Sequence, residues 1–284
     1  MNVIITQTFF TGLGDMYSAL YQLWYRQEEL KKLGFNVKSY VFCPSSLYKN
    51  IDCVEDCNFL YDFFDFSVLD NYEIIKESAT NFGGFPNCEN FKLINNWRNA
   101  VRVYIDVKSQ INNLSLEDFD NIIDRDDLPS KNLFSTKIIE FCENKISNLP
   151  KNFSLIHFRQ HENNNINDDF EKNYPVIKQF IETNNNEKIM FISSSEKTKN
   201  LLKEKKNNNI VYNEYKQNDI WITRGLNLND NELFDQLKYT IIDMYLVSYA
   251  KKILKVGIGW TSSFLFYGII NNKTNIPNKI RFQN

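Results

Sequence analysis

Ser154-Leu155-Ile156-His157-Phe158-Arg159-Gln160-His161-Glu162 is a short apolar run that ends in two histidines, an arginine and a carboxylate. It lies between Pro150-Lys151-Asn152 and the Asn163-Asn164-Asn165 run, a setting that predicts a buried strand of a parallel sheet over 154–158. In open α/β sheets, ligands bind outside the carboxyl ends of the strands. A fixed cation at such an end, with imidazoles beside it, suits a phosphate. Both histidines of the chain fall in this one stretch.

Downstream, strand and helix patterns alternate with short connections. Strands are expected over 188–192, 209–212 and 253–258, and helices over 174–183, 196–206, 240–252 and 262–270. Ser195 stands as an N-cap before Glu196 in the first turn. This alternation predicts a parallel α/β layer. Upstream, Val3-Ile4-Ile5 leads through Thr11-Gly12-Leu13-Gly14-Asp15 into a helix over 16–33, which Gly34 ends, and then into a strand over 37–42. Two glycines before a helix start let backbone approach a ligand where free N–H groups point outward. The third glycine of a dinucleotide fingerprint is missing, so a tight turn explains the pair equally well. Residues 95–106 show helical spacing through Trp97, Arg98, Val101 and Tyr104, and 138–149 form another predicted helix. Pro150 marks the expected boundary between a domain of residues 1–150 and one of residues 151–284.

Bulk properties narrow the class. With 284 residues, 43% hydrophobic and 24% charged, the chain has the composition of a globular protein. A net charge of −2 leaves no footprint for nucleic acid. No apolar run reaches the ~18 residues that cross a membrane, and the start reads as a strand, with no basic region of a signal peptide. Five cysteines, odd in number and without paired zinc spacing, read as reduced thiols of a cytoplasmic protein. The 15% aromatic share reads mostly as core, and Tyr61-Asp62-Phe63-Phe64-Asp65-Phe66 as a strand edge or part of a groove. Asp124-Arg125-Asp126 has the Asp-x-Asp form that holds metal in some transferases, but the arginine between the acids favours a surface turn.

Asp243-Met244-Tyr245-Leu246-Val247-Ser248-Tyr249-Ala250, followed by Thr261-Ser262-Ser263-Phe264-Leu265-Phe266-Tyr267-Gly268, resembles the C-terminal signature of the α1,2-/α1,6-fucosyltransferase superfamily. There an Asp-Met-x-Leu-Met-Ser-x-Cys helix precedes a strand and an Asn-Ser-(Ser/Thr)-Phe-Ser-Trp-Trp-Gly helix start. His157-Phe158-Arg159 resembles the superfamily's His-x-Arg-Arg, Gly12-Leu13-Gly14-Asp15 its Gly-Leu-Gly-Asn, and Phe191-Ile192-Ser193-Ser194 its Phe-Ser-Asp-Asp strand end. The four motifs occur in the same order as in that superfamily.

The resemblance implies an α/β, GT-B-like fold of two Rossmann-type domains facing across a cleft. Residues 1–150 would be the acceptor side and 151–284 the nucleotide-sugar side. It implies a glycosyltransferase that moves a sugar, fucose from GDP-fucose, to a glycan or glycolipid acceptor by an inverting mechanism without metal or other cofactor. Arg159 would bind the β-phosphate, with His157 supporting the diphosphate or sugar. Asp243 would serve the base, and Thr261, Ser262, Ser263 and Phe264 the phosphate and ribose. Gly12, Gly14 and Asp15 would close over the diphosphate, and Ser193 would line the donor site. A base for the acceptor hydroxyl is sought among Glu162, Asp168, Asp169 and His161. The chain departs from the pattern at Gln160, where a second arginine is expected, and at Thr261, Leu265, Phe266 and Tyr267. The neutral Gln160 keeps open a different donor, such as a UDP-sugar, and a non-catalytic nucleotide-sugar or glycan-binding protein.

Overall fold

A computed structural model of the chain describes residues 2–8, 13–42, 62–75, 91–97, 101–106, 129–159, 165–193, 195–212, 230–257, 267–276 and 282–283. The chain divides into two compact units, Met1–Ile139 and Glu140–Asn284. Each is built on a five-stranded sheet with the sequence-early strand near its centre.

In the first unit, β1 (Asn2–Thr8) is followed by α1 (Leu13–Lys32), β2 (Asn36–Phe42), a 3-10 turn (Phe66–Val68), β3 (Tyr72–Ile75), β4 (Phe91–Trp97) and β5 (Val101–Asp106). The sheet order is β3-β2-β1-β5-β4. β1, β2 and β3 run parallel, while β5 runs antiparallel to both β1 and β4. The helix expected within 95–106 is therefore a pair of strands. Val101-Arg102-Val103-Tyr104-Ile105 alternates β-branched and aromatic residues with polar ones at period two, a pattern that favours a strand. With this antiparallel edge the sheet is mixed, as in many doubly wound sheets.

Helix α1 begins three residues earlier than expected, so Gly14 sits in its first turn and its carbonyl accepts the Ser18 hydroxyl at 3.1 Å. Met16, Tyr17, Leu20, Tyr21, Leu23 and Leu30 are all buried, and burying side chains of this size contributes about 1.5–3 kcal/mol each. The buried Gln27 fixes the helix to its surroundings. Its Nε2 donates to Ser39 Oγ at 2.8 Å and to the Asp70 carbonyl, and its Oε1 accepts from Asp70 N at 2.9 Å. Gly34 ends α1 at φ +85°, with Gly34 N donating to Lys31 O and Phe35 N to Leu30 O, the paired bonds of a Schellman cap. Phe63, Phe64 and Phe66 are core, as their exposures of 2% or less show, and Asp65 caps the 3-10 turn through Ser67 N. The groove reading of that cluster is thereby corrected.

The division between the units falls within α2 (Thr136–Ile146). The second unit continues with β6 (Ser154–Arg159), α3 (Ile166–Thr183), β7 (Ile189–Ser193), α4 (Glu196–Glu204), β8 (Ile210–Tyr212), α5 (Asp230–Tyr249), β9 (Lys252–Gly257) and β10 (Phe282–Gln283). Its strands lie in the order β10-β9-β6-β7-β8 and all paired neighbours are parallel. β6 is central, which is why it reads as an unbroken apolar run until its last residues. α3 starts eight residues earlier than its Pro175 suggested. That proline forfeits one helical hydrogen bond, while Asn165 caps the start and Asp168 and Asp169 complement the dipole in the first turn. Ile156, Phe158, Phe170, Ile177, Phe191, Leu202, Leu254 and Val256 form a single core between one face of the sheet and helices α3 and α4.

Candidate functional site

Side chains alternate across a strand. Ile156 and Phe158 face the α3–α4 core, so Leu155, His157 and Arg159 face the other side of the sheet. The register then decides who meets whom. His157 lies beside Ile192 of β7 and Lys255 of β9, Phe158 beside Ser193, and Arg159 beside Gly257. From β6 the chain moves outward through β7 and β8, then returns to the opposite flank of β6 as β9. The strand order thus reverses between β6 and β9. Crevices outside the carboxyl ends of strands at such a reversal are where open α/β sheets hold ligands. Arg159 is the last residue of β6 at that point, half-buried, with the loop to α3 beginning directly after it.

The electrostatics follow from this placement. His157 is only 6% exposed. Burial, then the charges of Arg159 and Lys255, push its imidazole down to about 3. At neutral pH it is therefore an uncharged ring that can donate one hydrogen bond and accept another. Lys255 is exposed, and it forms no ion pair among the described residues. A guanidinium and an ammonium gathered around a neutral imidazole make a surface that suits a multiply charged anion.

The other expected residues divide into groups. Ser193 ends β7, buried, and its Oγ accepts from Ser195 N at 3.2 Å, while Ser195 Oγ caps α4 through Thr198 N at 3.2 Å. That hydroxyl shapes the strand-to-helix turn at the same carboxyl edge. Asp168 is exposed and Asp169 buried in the first turn of α3. Asp243 is buried within α5. Gly14 and Asp15 belong to the first turn of α1 in the other unit. Gly12, Gln160, His161, Glu162, Thr261, Ser262, Ser263, Phe264 and Asp124-Arg125-Asp126 lie outside the described residues.

Two residues take their meaning from contacts that no motif shows. Lys255 is a lone charge inside Ile253-Leu254-Lys255-Val256, and only the pairing of β9 with β6 reveals its neighbour. Gly268 sits in the helical residues 267–270, where an added Cβ would overlap Cγ1 of the fully buried Val247 on α5. The glycine that closes the Thr261–Gly268 motif is thus a site of close helix approach. A further cluster, Glu143 with Tyr245, Tyr249 and Lys273, is a clamp rather than a site. Glu143 Oε1 accepts from Tyr245 at 2.5 Å, from Tyr249 at 3.0 Å and from Lys273 at 3.3 Å. The ammonium of Lys273 also lies over both tyrosine rings.

No family model matches the chain, and no curated protein matches its sequence. Solved structures match its fold. NodZ alpha-1,6-fucosyltransferase soaked with GDP-fucose matches at a TM-score of 0.54 and 12% identity, over 95% of this chain and 92% of that one. The same enzyme co-crystallised with GDP matches at 0.52 and 12%, over 94% and 92%. Fucosyltransferase NodZ from Bradyrhizobium matches at 0.53 and 12%, over 94% and 93%. The chain therefore has a fucosyltransferase-like, GT-B-like α/β fold. Among the described residues no helix is long and apolar enough to cross a membrane.

Proposed function

We propose that this chain is a glycosyltransferase that moves a sugar, fucose from GDP-fucose, onto a glycan or glycolipid acceptor. The observation that carries the reading is Arg159 at the carboxyl end of the central strand, where strand order reverses, with His157 on the same face. The shared fold with an enzyme crystallised with GDP and GDP-fucose supports it. In this reading the second Rossmann-like part, 151–284, holds the donor. The N-terminal part, 1–150, presents the acceptor.

The chemistry assigns the roles. The acceptor oxygen attacks the anomeric carbon as the bond from that carbon to the β-phosphate oxygen breaks. The nucleoside diphosphate leaves with the electron pair, and a base takes the acceptor's proton. Negative charge grows on the departing diphosphate, and without a metal it must be met by cations and N–H or O–H donors aimed at the oxygens. Arg159 meets it as the fixed cation and His157 as a neutral donor. Ser193, Ser262 and Ser263 serve the phosphates, Thr261 and Phe264 the ribose, and Asp243 the base. Gly12, Gly14 and Asp15 are the residues of the first unit assigned to the diphosphate. The proton acceptor comes from Glu162, Asp168 or Asp169. Of the two described carboxylates, Asp168 is exposed and Asp169 buried.

A panel of nucleotide sugars incubated with the purified chain, scored for release of free sugar, tests the proposal. Release from GDP-fucose above the other donors is the expected result. Preference for a UDP-sugar would overturn the donor. Binding without turnover of any donor would make the chain a nucleotide-sugar-binding protein.

A further inference from the structure

A diphosphate leaving group carries more charge than Arg159 alone can balance, and Gln160 beside it is neutral. The geometry points to Lys255 as the second cation of the diphosphate site, a role that rests on the donor reading above. Lys255 and His157 are direct neighbours across β9 and β6, and Arg159 follows His157 on the same face one pleat nearer the carboxyl edge. Side chains of paired neighbours stand about 5 Å apart, so a four-carbon lysine stem beside His157 reaches the level of the Arg159 guanidinium. β9 supplies apolar residues on either side, with Ile253, Leu254 and Val256 all buried, yet Lys255 is exposed. The face of the sheet is therefore open at this one register position.

The bland role for a strand lysine is a salt bridge on the surface, and among the described residues Lys255 makes none. Lysines elsewhere on the chain do find carboxylates, such as Lys38 with Glu73, Lys205 with Glu171 and Lys252 with Glu187. Among the described residues Lys255 pairs with no carboxylate, and it neighbours His157 on the face that also carries Arg159. A nucleoside diphosphate bound at this face would set its negative charge beside both cations. A flexible, compact ammonium suits this task, because it can follow the β-phosphate as charge builds.

The test is calorimetric titration of the full chain with guanosine, GMP, GDP and UDP. Wild type is compared with Lys255→Met, Lys255→Arg and Lys178→Met, the last removing an exposed charge from α3. Lys255→Met is expected to weaken GDP binding about tenfold or more. It should weaken GMP less, leave guanosine unchanged and be largely restored by Lys255→Arg. Lys255→Met indistinguishable from Lys178→Met, with GDP still bound, would overturn the role of Lys255 and leave the donor reading standing. Equal losses for GMP and GDP would place the lysine away from the β-phosphate and overturn it also. If wild type binds neither GDP nor UDP, the donor reading fails and this inference fails with it.

Discussion

The two sheets of the molecule start alike and finish differently. Each places its first strand near the centre and follows it with a helix. In the first unit the sheet is completed on one flank by β5 and β4, an antiparallel pair. In the second unit β9 returns parallel on the flank opposite β7. An antiparallel neighbour needs no crossover helix and brings its amino end to the carboxyl end of β1, so it does not continue the row of carboxyl ends. A parallel neighbour on the opposite flank aligns a second carboxyl end and creates the reversal at which ligands sit. Only the second sheet therefore sets Arg159, His157, Ser193 and Lys255 along one edge. Electrostatic binding of a nucleoside diphosphate should depend on that sheet most strongly.

Variants in the two units can break or sharpen this contrast. Arg159→Ala should lower the rate of sugar transfer roughly 100- to 1000-fold, measured with saturating acceptor, while the melting temperature of the nucleotide-free protein barely moves. Gly268→Ala drives a methyl into Val247 and should cost about 1–3 kcal/mol in denaturant unfolding. Combined with Val247→Ala the loss should be less than the sum of the two single changes, which a double-mutant cycle reads directly. Gly34→Ala forces a side chain into the left-handed region at the end of α1 and should cost roughly 1 kcal/mol. It should do so without altering nucleotide affinity, and a changed affinity would break the contrast. A pH effect is expected at His157, which is buried and faces the charges of Arg159 and Lys255. The unfolded imidazole takes up a proton below about 6.5, whereas the folded one resists until about 3. Stability should therefore fall as pH drops through that window, and His157→Gln should flatten the decline.

Much of the second sheet was legible because a central parallel strand is buried on both faces, and 154–158 is largely apolar before the charge of Arg159. The ends of its neighbours were legible for the same reason, within a few residues. The edge of the first sheet was not, because Trp97, Val101 and Tyr104 fit helical spacing as well as Val101, Val103 and Ile105 fit strand spacing. Antiparallel pairing with β1, a contact distant in sequence, decides between them. Arg159 could be singled out because a cation closing an apolar run is visible locally. Lys255 could not, since its meaning comes from the register of two strands far apart in the chain. Gly268 could be quoted as part of a motif, but its reason, the side chain of Val247, lies on another helix.

The central claim is that the carboxyl edge of β6 binds a nucleoside diphosphate through Arg159. A thermal-shift titration of wild type and Arg159→Ala with GDP and UDP tests it most directly. The account predicts that GDP raises the melting temperature of wild type in a concentration-dependent way and leaves Arg159→Ala unshifted. An equal shift in both proteins, or none in wild type with either nucleotide, would contradict it.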